Sequence, residues 1–354
     1  MRQPIYTISI FLIVMGCRDP FDFDYSQEFE PRVVIEGFIS DRDTLHNVKV
    51  SFSTSINKRG LIETQFVSDA DVRIQDDQGG MAVLRHDQAG IYQTTPNFRA
   101  EEGRSYQLIV TLANGTAYRS AVKSLPAAAP ARMDLQMRPV IRPGTVNNKT
   151  VEVEGAQIYT RIEKGTQRHF YQWLVYHYYI FEADAADSLA PEKFCYVKEF
   201  DETQVLLLQD NPLQSGGIPS YQYEVDFIPN DSKLEHDFGF QGHLLTMNEE
   251  DFNYWDQARK LSQNSGSVFD AAPFSIEGNI TDEASGEPVL GYFGVYREQM
   301  DRIFFSQNDL GFAFNTFLDC VPLPVPPEED SCQDCRALIA DPNLGTTAPP
   351  WWRN

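Results

Sequence analysis

The chain has 354 residues, a net charge of −22 and 12% aromatic residues. That length is enough for two domains with cores of their own. The acidic balance, with no basic stripe, argues against nucleic acid as a partner, because such a surface repels phosphate. An acidic surface is by itself a soluble, aggregation-resistant face rather than an active site. The aromatics, with glycine, proline and threonine spread throughout, suit a β-rich protein.

In chain order, Met1-Arg2 precedes the apolar run Ile8, Ile10, Phe11, Leu12, Ile13 and Val14, then Gly16-Cys17. One positive charge, a short apolar core and a small residue before a cut make a secretory signal over residues 1–16. The run is far shorter than the ~20 residues that span a bilayer. A cut before a cysteine resembles a bacterial lipoprotein signal, whose mature chain begins at a lipid-modified residue, here Cys17. That implies a lipid-anchored protein outside the cytoplasm. Residues 17–31 form an acidic tether with Pro20 and Pro31. Asp19, Asp22 and Asp24 resemble a surface-export signal of Bacteroidota lipoproteins, and a solvated linker is the compatible, plainer reading.

Residues 32–125 read as a small β-sandwich of the prealbumin-like or Ig-like kind. Val48, Val50 and Phe52 alternate with Lys49 and Ser51, a period of two. Asp71–Asp76 alternates as well, and Tyr106, Leu108 and Val110 share one side. Asn114-Gly115 is a hairpin turn, since this pair takes positive φ readily. Short strands with regular turn signals suggest a sandwich, and modules of this order are usually structural or docking units. Residues 126–131 are a linker stiffened by two prolines.

Residues 132–320 read as a larger antiparallel β domain. Residues 133–140, 151–163, 170–181, 205–208, 221–228 and 238–246 are strand candidates. The run Phe170–Phe181 is apolar or aromatic on both faces, which marks a central strand covered on both sides. Its functional alternative is an aromatic ligand platform through Trp173, Tyr176 and Tyr178; core packing is the favoured reading. One amphipathic helix is predicted at about 249–264. Thr246 and Glu249 match a capping box, and Phe252, Trp255, Ala258 and Leu261 recur at helical spacing. Trp255 is a further candidate for partner contact, with packing again favoured.

Cys195, Cys320, Cys332 and Cys335 form an even set in an oxidising compartment, so disulfides are the default and three connectivities are open. Cys332 and Cys335 have redox spacing, but they follow a proline-rich acidic stretch in the tail (321–354) rather than opening a helix. Structural bridging is therefore favoured over redox chemistry or zinc.

The stretch Phe269-Asp270…Pro273…Gly278-Asn279-Ile280…Glu287-Pro288-Val289-Leu290-Gly291-Tyr292-Phe293 carries a resemblance. With Val33–Ser40 and the tail Cys332-Gln-Asp-Cys335…Trp351, it is similar to the Bacteroidota outer-membrane lipoprotein family known as domain of unknown function 4249, over nearly the whole chain after the signal. The resemblance implies a surface-exposed outer-membrane lipoprotein, and it suggests an accessory role beside a TonB-dependent β-barrel transporter. Physically, Gly278, Gly291 and Gly294 suit bulges or close backbone contact, and Asn279 could cap a turn. Asp43-Thr44-Leu45 and Asp187-Ser188-Leu189 resemble the short O-glycosylation motif of Bacteroidota secreted proteins, at Thr44 and Ser188.

No Gly-x-Ser-x-Gly elbow, His-Glu-x-x-His pair or phosphate-cradling glycine loop is present. The histidines, His169, His177, His236 and His243 among them, have no metal-ligand spacing, and no cofactor is expected. The reading is a non-enzymatic accessory binding component of a TonB-dependent nutrient uptake system. A free-standing glycan- or host-binding adhesin is the alternative, and a surface hydrolase comes third.

Overall fold

The computed structural model describes residues 31–53, 64–146, 149–183, 194–200, 205–212, 217–263, 276–312, 334–338 and 345–352. Its strands, in chain order, are β1 (Val33–Ser40), β2 (Asn47–Phe52), β3 (Gln65–Phe66), β4 (Asp71–Asp76), β5 (Met81–Val83), β6 (Arg85–His86), β7 (Ile91–Gln93), β8 (Ser105–Thr111), β9 (Ala117–Ser120) and β10 (Lys123–Ser124). There follow β11 (Gln136–Val146), β12 (Lys149–Glu163), β13 (His169–Glu182), β14 (Phe194–Phe200), β15 (Leu206–Asp210), β16 (Ser220–Pro229), β17 (Phe238–Met247), β18 (Ile280–Asp282) and β19 (Leu290–Phe305). A helix, α1 (Glu249–Ser262), and a single-turn helix, α2 (Gln307–Leu310), complete the main elements. The mainly β class expected from composition and alternation is the one observed, with multiple antiparallel sheets and one helix longer than two turns among the described residues.

The strands form three sheets. Ten strands make the largest, in the order β14-β13-β17-β19-β1-β2-β7-β6, with β15 beside β13 and β3 beside β2. Six make the second (β18-β9-β8-β4-β5, with β10 on β8), and β11-β12-β16 the third. Strand β19 joins the parts. Its first half runs parallel to β1, from Leu290 opposite Val34 to Tyr296 opposite Ser40. Its second half runs antiparallel to β17, from Arg297 opposite Thr246 to Phe305 opposite Phe238.

One core lies between the first strands of the large sheet and the six-stranded sheet. Ile35, Val48, Val50, Val72, Leu108 and Val110 fill it, and Ile280, Phe293 and Val295 from the end of the chain join them. The sandwich predicted over 32–125 is thus completed by β18 and the first half of β19. A second core lies between β13-β17 and the three-stranded sheet, around Tyr171, Trp173, Ile158, Ile228, Phe238 and Phe240. Residues 126–135 run between the two, pinned by β19. Arg297 Nε donates to the Pro126 carbonyl (2.8 Å), Gln299 Nε2 to that of Ala131 (2.8 Å), and the Leu135 amide to Asp301 (2.9 Å).

Helix α1 covers the near end of the large sheet. Phe170, Leu245, Met247 and Tyr296 pack beneath Phe252 and Trp255. Glu249, Glu250 and Asp251 stand in its first turn and Arg259 and Lys260 in its last, which suits the helix dipole. The capping box expected from Thr246 and Glu249 is not formed. Thr246 is buried inside β17, where a strand residue cannot cap, and Asn248 holds the N-cap without a side-chain bond to the helix, its amide donating instead to the Ser124 carbonyl. Asp251 instead anchors the helix start, accepting from the Tyr292 hydroxyl (2.7 Å) and pairing with buried Lys123 (3.0 Å). Asn279, expected at a turn, clamps the Phe293 backbone with its amide, donating to the carbonyl and accepting from the N–H.

Candidate functional site

Alternation along β13 sends Tyr171, Trp173 and Tyr179 into the second core. The opposite side of the same strand forms the outer face of the large sheet, and α1 covers only its near end, over Phe170 and Leu174. Beyond the helix, cross-strand partners share that face. One row reads Phe200, Tyr176, Gln241 and Arg302 on β14, β13, β17 and β19; the next reads Lys198, Tyr178, Gly239 and Phe304. His243 and Met300 stand opposite each other in the row toward the helix. Phe200 and Met300 are 40% and 37% exposed, so large apolar groups on this face meet solvent.

The face is held from below by one buried carboxylate. Glu298 accepts from Arg42 (2.7 Å), His243 Nδ1 (2.7 Å) and the Ser40 hydroxyl (2.5 Å). Burial would raise its carboxyl, but the bonds from His243, Ser40 and Arg42 outweigh that and hold it at about 2. Glu298 thereby fixes the His243 tautomer: Nδ1 carries the proton, so Nε2 accepts from the Gln241 amide at 2.7 Å. Gln241 Oε1 then accepts from Arg302 Nε at 3.0 Å and from Nη2 as well. The Arg302 guanidinium lies 3.6 Å from the Trp351 ring centroid. A polar chain thus runs from Glu298 through His243 and Gln241 to Arg302.

Ser40, His46 and Glu298 superficially suggest hydrolytic chemistry. Ser40 Oγ lies 3.1 Å from His46 Nε2, and both residues are buried. In a nucleophile–base–orienter chain the carboxylate holds the far nitrogen of the histidine. Here the carboxylate accepts from the serine itself, and His46 Nδ1 has no partner among the described residues. Burial lowers His46 to about 4, against the opposing charge of Glu298. The set reads as a seam between β1 and β17-β19. No group of three His, Cys, Asp or Glu side chains among the described residues is arranged to hold a metal.

The end of the chain is tied to the far side of this face. Cys195 on β14 is bonded to Cys335, with Cα atoms 5.6 Å apart, and the Tyr196 amide donates to the Gly345 carbonyl (2.9 Å). Trp352 then packs over Gly239, edge-on to Tyr196 and Phe304, and Trp351 edge-on to Tyr178.

Of the aromatic candidates, the structure brings Tyr176 to the open face, buries Tyr178 on the same side of the sheet beneath Trp351, and sends Trp173 to the core, 1% exposed and stacked on Tyr223. Trp255 lies under the helix, its indole N–H donating to the Tyr296 hydroxyl (3.3 Å). Thr44 is in the loop between β1 and β2, partly exposed between Asp43 and a 46% exposed Leu45. Cys17, Ser188, Cys320 and Cys332 lie outside the described residues. Lys198, Phe200, Gln241, Met300 and Arg302 were not singled out from the sequence. A usable signal was present: Gln241 and His243 interrupt the apolar run Phe238–Met247 at alternate positions.

No curated protein and no solved structure matches the chain. A family model described as "Domain of unknown function (DUF4249)" matches residues 18–302, the greater part of the sequence, and the protein belongs to that family.

Proposed function

We propose that this protein is a non-enzymatic, surface-exposed outer-membrane lipoprotein, anchored through lipid on Cys17, that serves as an accessory binding component of a TonB-dependent nutrient uptake system. The lipoprotein-type signal ending at Cys17 and the acidic tether behind it support the location. The observation that carries the binding role is the stretch of the ten-stranded sheet's outer face left open between α1 and the Trp351–Trp352 pair. Four strands bring aromatic, cationic and amide side chains together there, with Phe200 and Met300 left exposed. Aromatic and polar groups converging on a rigid sheet suit recognition. A free-standing adhesin is the second reading, favoured by the ribbon of β11 and β12. Beyond Gly155 these strands pair only with each other, and the ribbon exposes Ile141 and Val151.

A pull-down from detergent-solubilised outer membrane tests the proposal, using the intact chain beside Cys17→Ala. Co-purification of a β-barrel transporter at fixed ratio with the lipidated form is the expected result. Lipidated protein in the outer membrane without a barrel partner overturns the uptake role and puts the adhesin first. Absence of the intact chain from the outer membrane overturns the reading of Cys17.

A further inference from the structure

We propose that the open face of the ten-stranded sheet binds an acidic oligosaccharide, whose carboxylate or sulfate groups are taken by Arg302 and Lys198. This deepens the binding role above and rests on it.

Arg302 is the first of the two cations. Its guanidinium plane is set by the Trp351 ring and one edge is held by Gln241 Oε1, through Nε and Nη2. The remaining donors, both on Nη1 and one on Nη2, have no acceptor among the described residues, and no carboxylate pairs with this arginine there. A half-buried guanidinium without a counter-charge is costly. Burial pushes its pKa below the usual range, and the charge of Arg42 adds to the effect. The free edge is the fork that takes a carboxylate or sulfate with two parallel hydrogen bonds. Its orientation is set in advance by the chain from Glu298, so little entropy is lost on binding.

Lys198 supplies a second cation. It is exposed and lies 5.0 Å from the Tyr176 ring centroid, and no carboxylate pairs with it among the described residues. Tyr176 and Gln241 are cross-strand neighbours on the two strands between them, so the backbones of Lys198 and Arg302 lie three strand spacings apart, roughly 14 Å, with the Lys198 side chain reaching back over Tyr176 and that of Arg302 toward Gln241. Two acidic groups carried by separate units of one oligosaccharide span such a distance. The acidic side chain on this stretch of the face is Glu298, already neutralised by Arg42. On a protein of net charge −22, two cations without carboxylate partners on one face mark complementarity to an anion. The exposed Phe200 ring and the part-exposed Trp351 offer flat apolar surfaces to the C–H faces of sugar rings, as amphipathic aromatics do at binding sites.

The test is calorimetric titration of the full chain carrying Cys17→Ala. The probes are a tetragalacturonate, a chondroitin sulfate tetrasaccharide, neutral maltotetraose and sodium sulfate. At least one acidic tetrasaccharide is expected to bind, more weakly as salt rises, while maltotetraose and sulfate bind at least about tenfold more weakly. Lys198→Glu changes an exposed strand position and leaves the packing in place, and Arg302→Gln removes the fork. Each is expected to weaken binding by about tenfold or more. Equal binding of neutral and acidic sugars, sulfate binding as tightly as the sulfated sugar, unchanged affinity in Lys198→Glu, or no acidic sugar bound at about 1 mM overturns the proposal. Failure here leaves anchoring and transporter contact untouched, since the pull-down reads those. Failure of the pull-down leaves this titration standing.

Discussion

Two residues with opposite demands on the proton sit one hydroxyl apart. His46 is buried and held neutral, its pKa lowered to about 4 from an ordinary 6.5. Glu298 is buried and held charged, at about 2 against an ordinary 4.5. For His46 the unfolded chain binds the proton first. Its contribution to stability is therefore whole above pH 6.5 and is lost as the pH falls from 6.5 through 4, on the order of 3 kcal/mol. For Glu298 the loss comes lower, between pH 4.5 and 2. His46→Gln keeps a partner for Ser40 but cannot titrate. Denaturant midpoints measured at steps from pH 7 to 4 are expected to fall less steeply in His46→Gln than in the wild type; equal slopes would sink the assignment. Gly291 makes a different residue-scale case. Its φ is +101°, and an added Cβ would run into the Ile35 backbone on the neighbouring strand. Gly291→Ala is expected to cost about 2 kcal/mol or more, read as a drop in thermal midpoint, where a solvent-facing glycine such as Gly115 tolerates the change better. The sequence showed that such glycines serve close contact. It did not show which backbone they meet, because the parallel pairing of β1 with β19 joins the two ends of the chain.

Among the elements, the ribbon of β11 and β12 has the clearest device against misassociation. β11 ends the three-stranded sheet, and Pro139 and Pro143 stand on it opposite Ala156 and Glu152. Proline has no N–H to offer a further strand, so two donors are missing from an exposed edge. Restoring them with Pro139→Val and Pro143→Val together is expected to drive concentration-dependent association, measured by light scattering or sedimentation. A monomeric double variant at high concentration would show that the edge is guarded by something else. Most elements were legible in the sequence, because strands such as β8 and β16 alternate and α1 repeats at helical spacing. The start of α1 misled because a Thr-x-x-Glu pattern also fits a strand running straight into a helix, and Thr246 is needed in the sheet. Strand β14 escaped notice because Phe194–Phe200 mixes apolar and charged residues at an outer strand, where one side is open.

At the scale of the whole molecule, β19 makes two cores depend on each other. Phe293 and Val295 fill the first core, and Phe305 on the same strand fills the second. The pinned segment 126–135 adds side-chain bonds along the same strand. The bond from Cys195 to Cys335 closes a loop of 140 residues around the second half, a constraint worth about 5 kcal/mol by chain entropy. The candidate site follows from this order. Tyr176 was legible on its own strand, whereas Arg302 gained meaning only once β19 was seen beside β17 and below Trp351, placements that no local pattern encodes. Such sharing predicts cooperative unfolding, and the distribution of tryptophan makes it measurable. All four, Trp173, Trp255, Trp351 and Trp352, lie outside residues 32–125. Leu108 is fully buried in the first core, so Leu108→Ala is expected to cost about 2–5 kcal/mol there. If β19 couples the cores, tryptophan fluorescence and far-ultraviolet circular dichroism will shift together to a lower denaturant midpoint, although no tryptophan is near the substitution. A fluorescence transition that stays in place while the dichroism splits into two steps would mean that the cores unfold separately, with β19 passing between them without transmitting the loss.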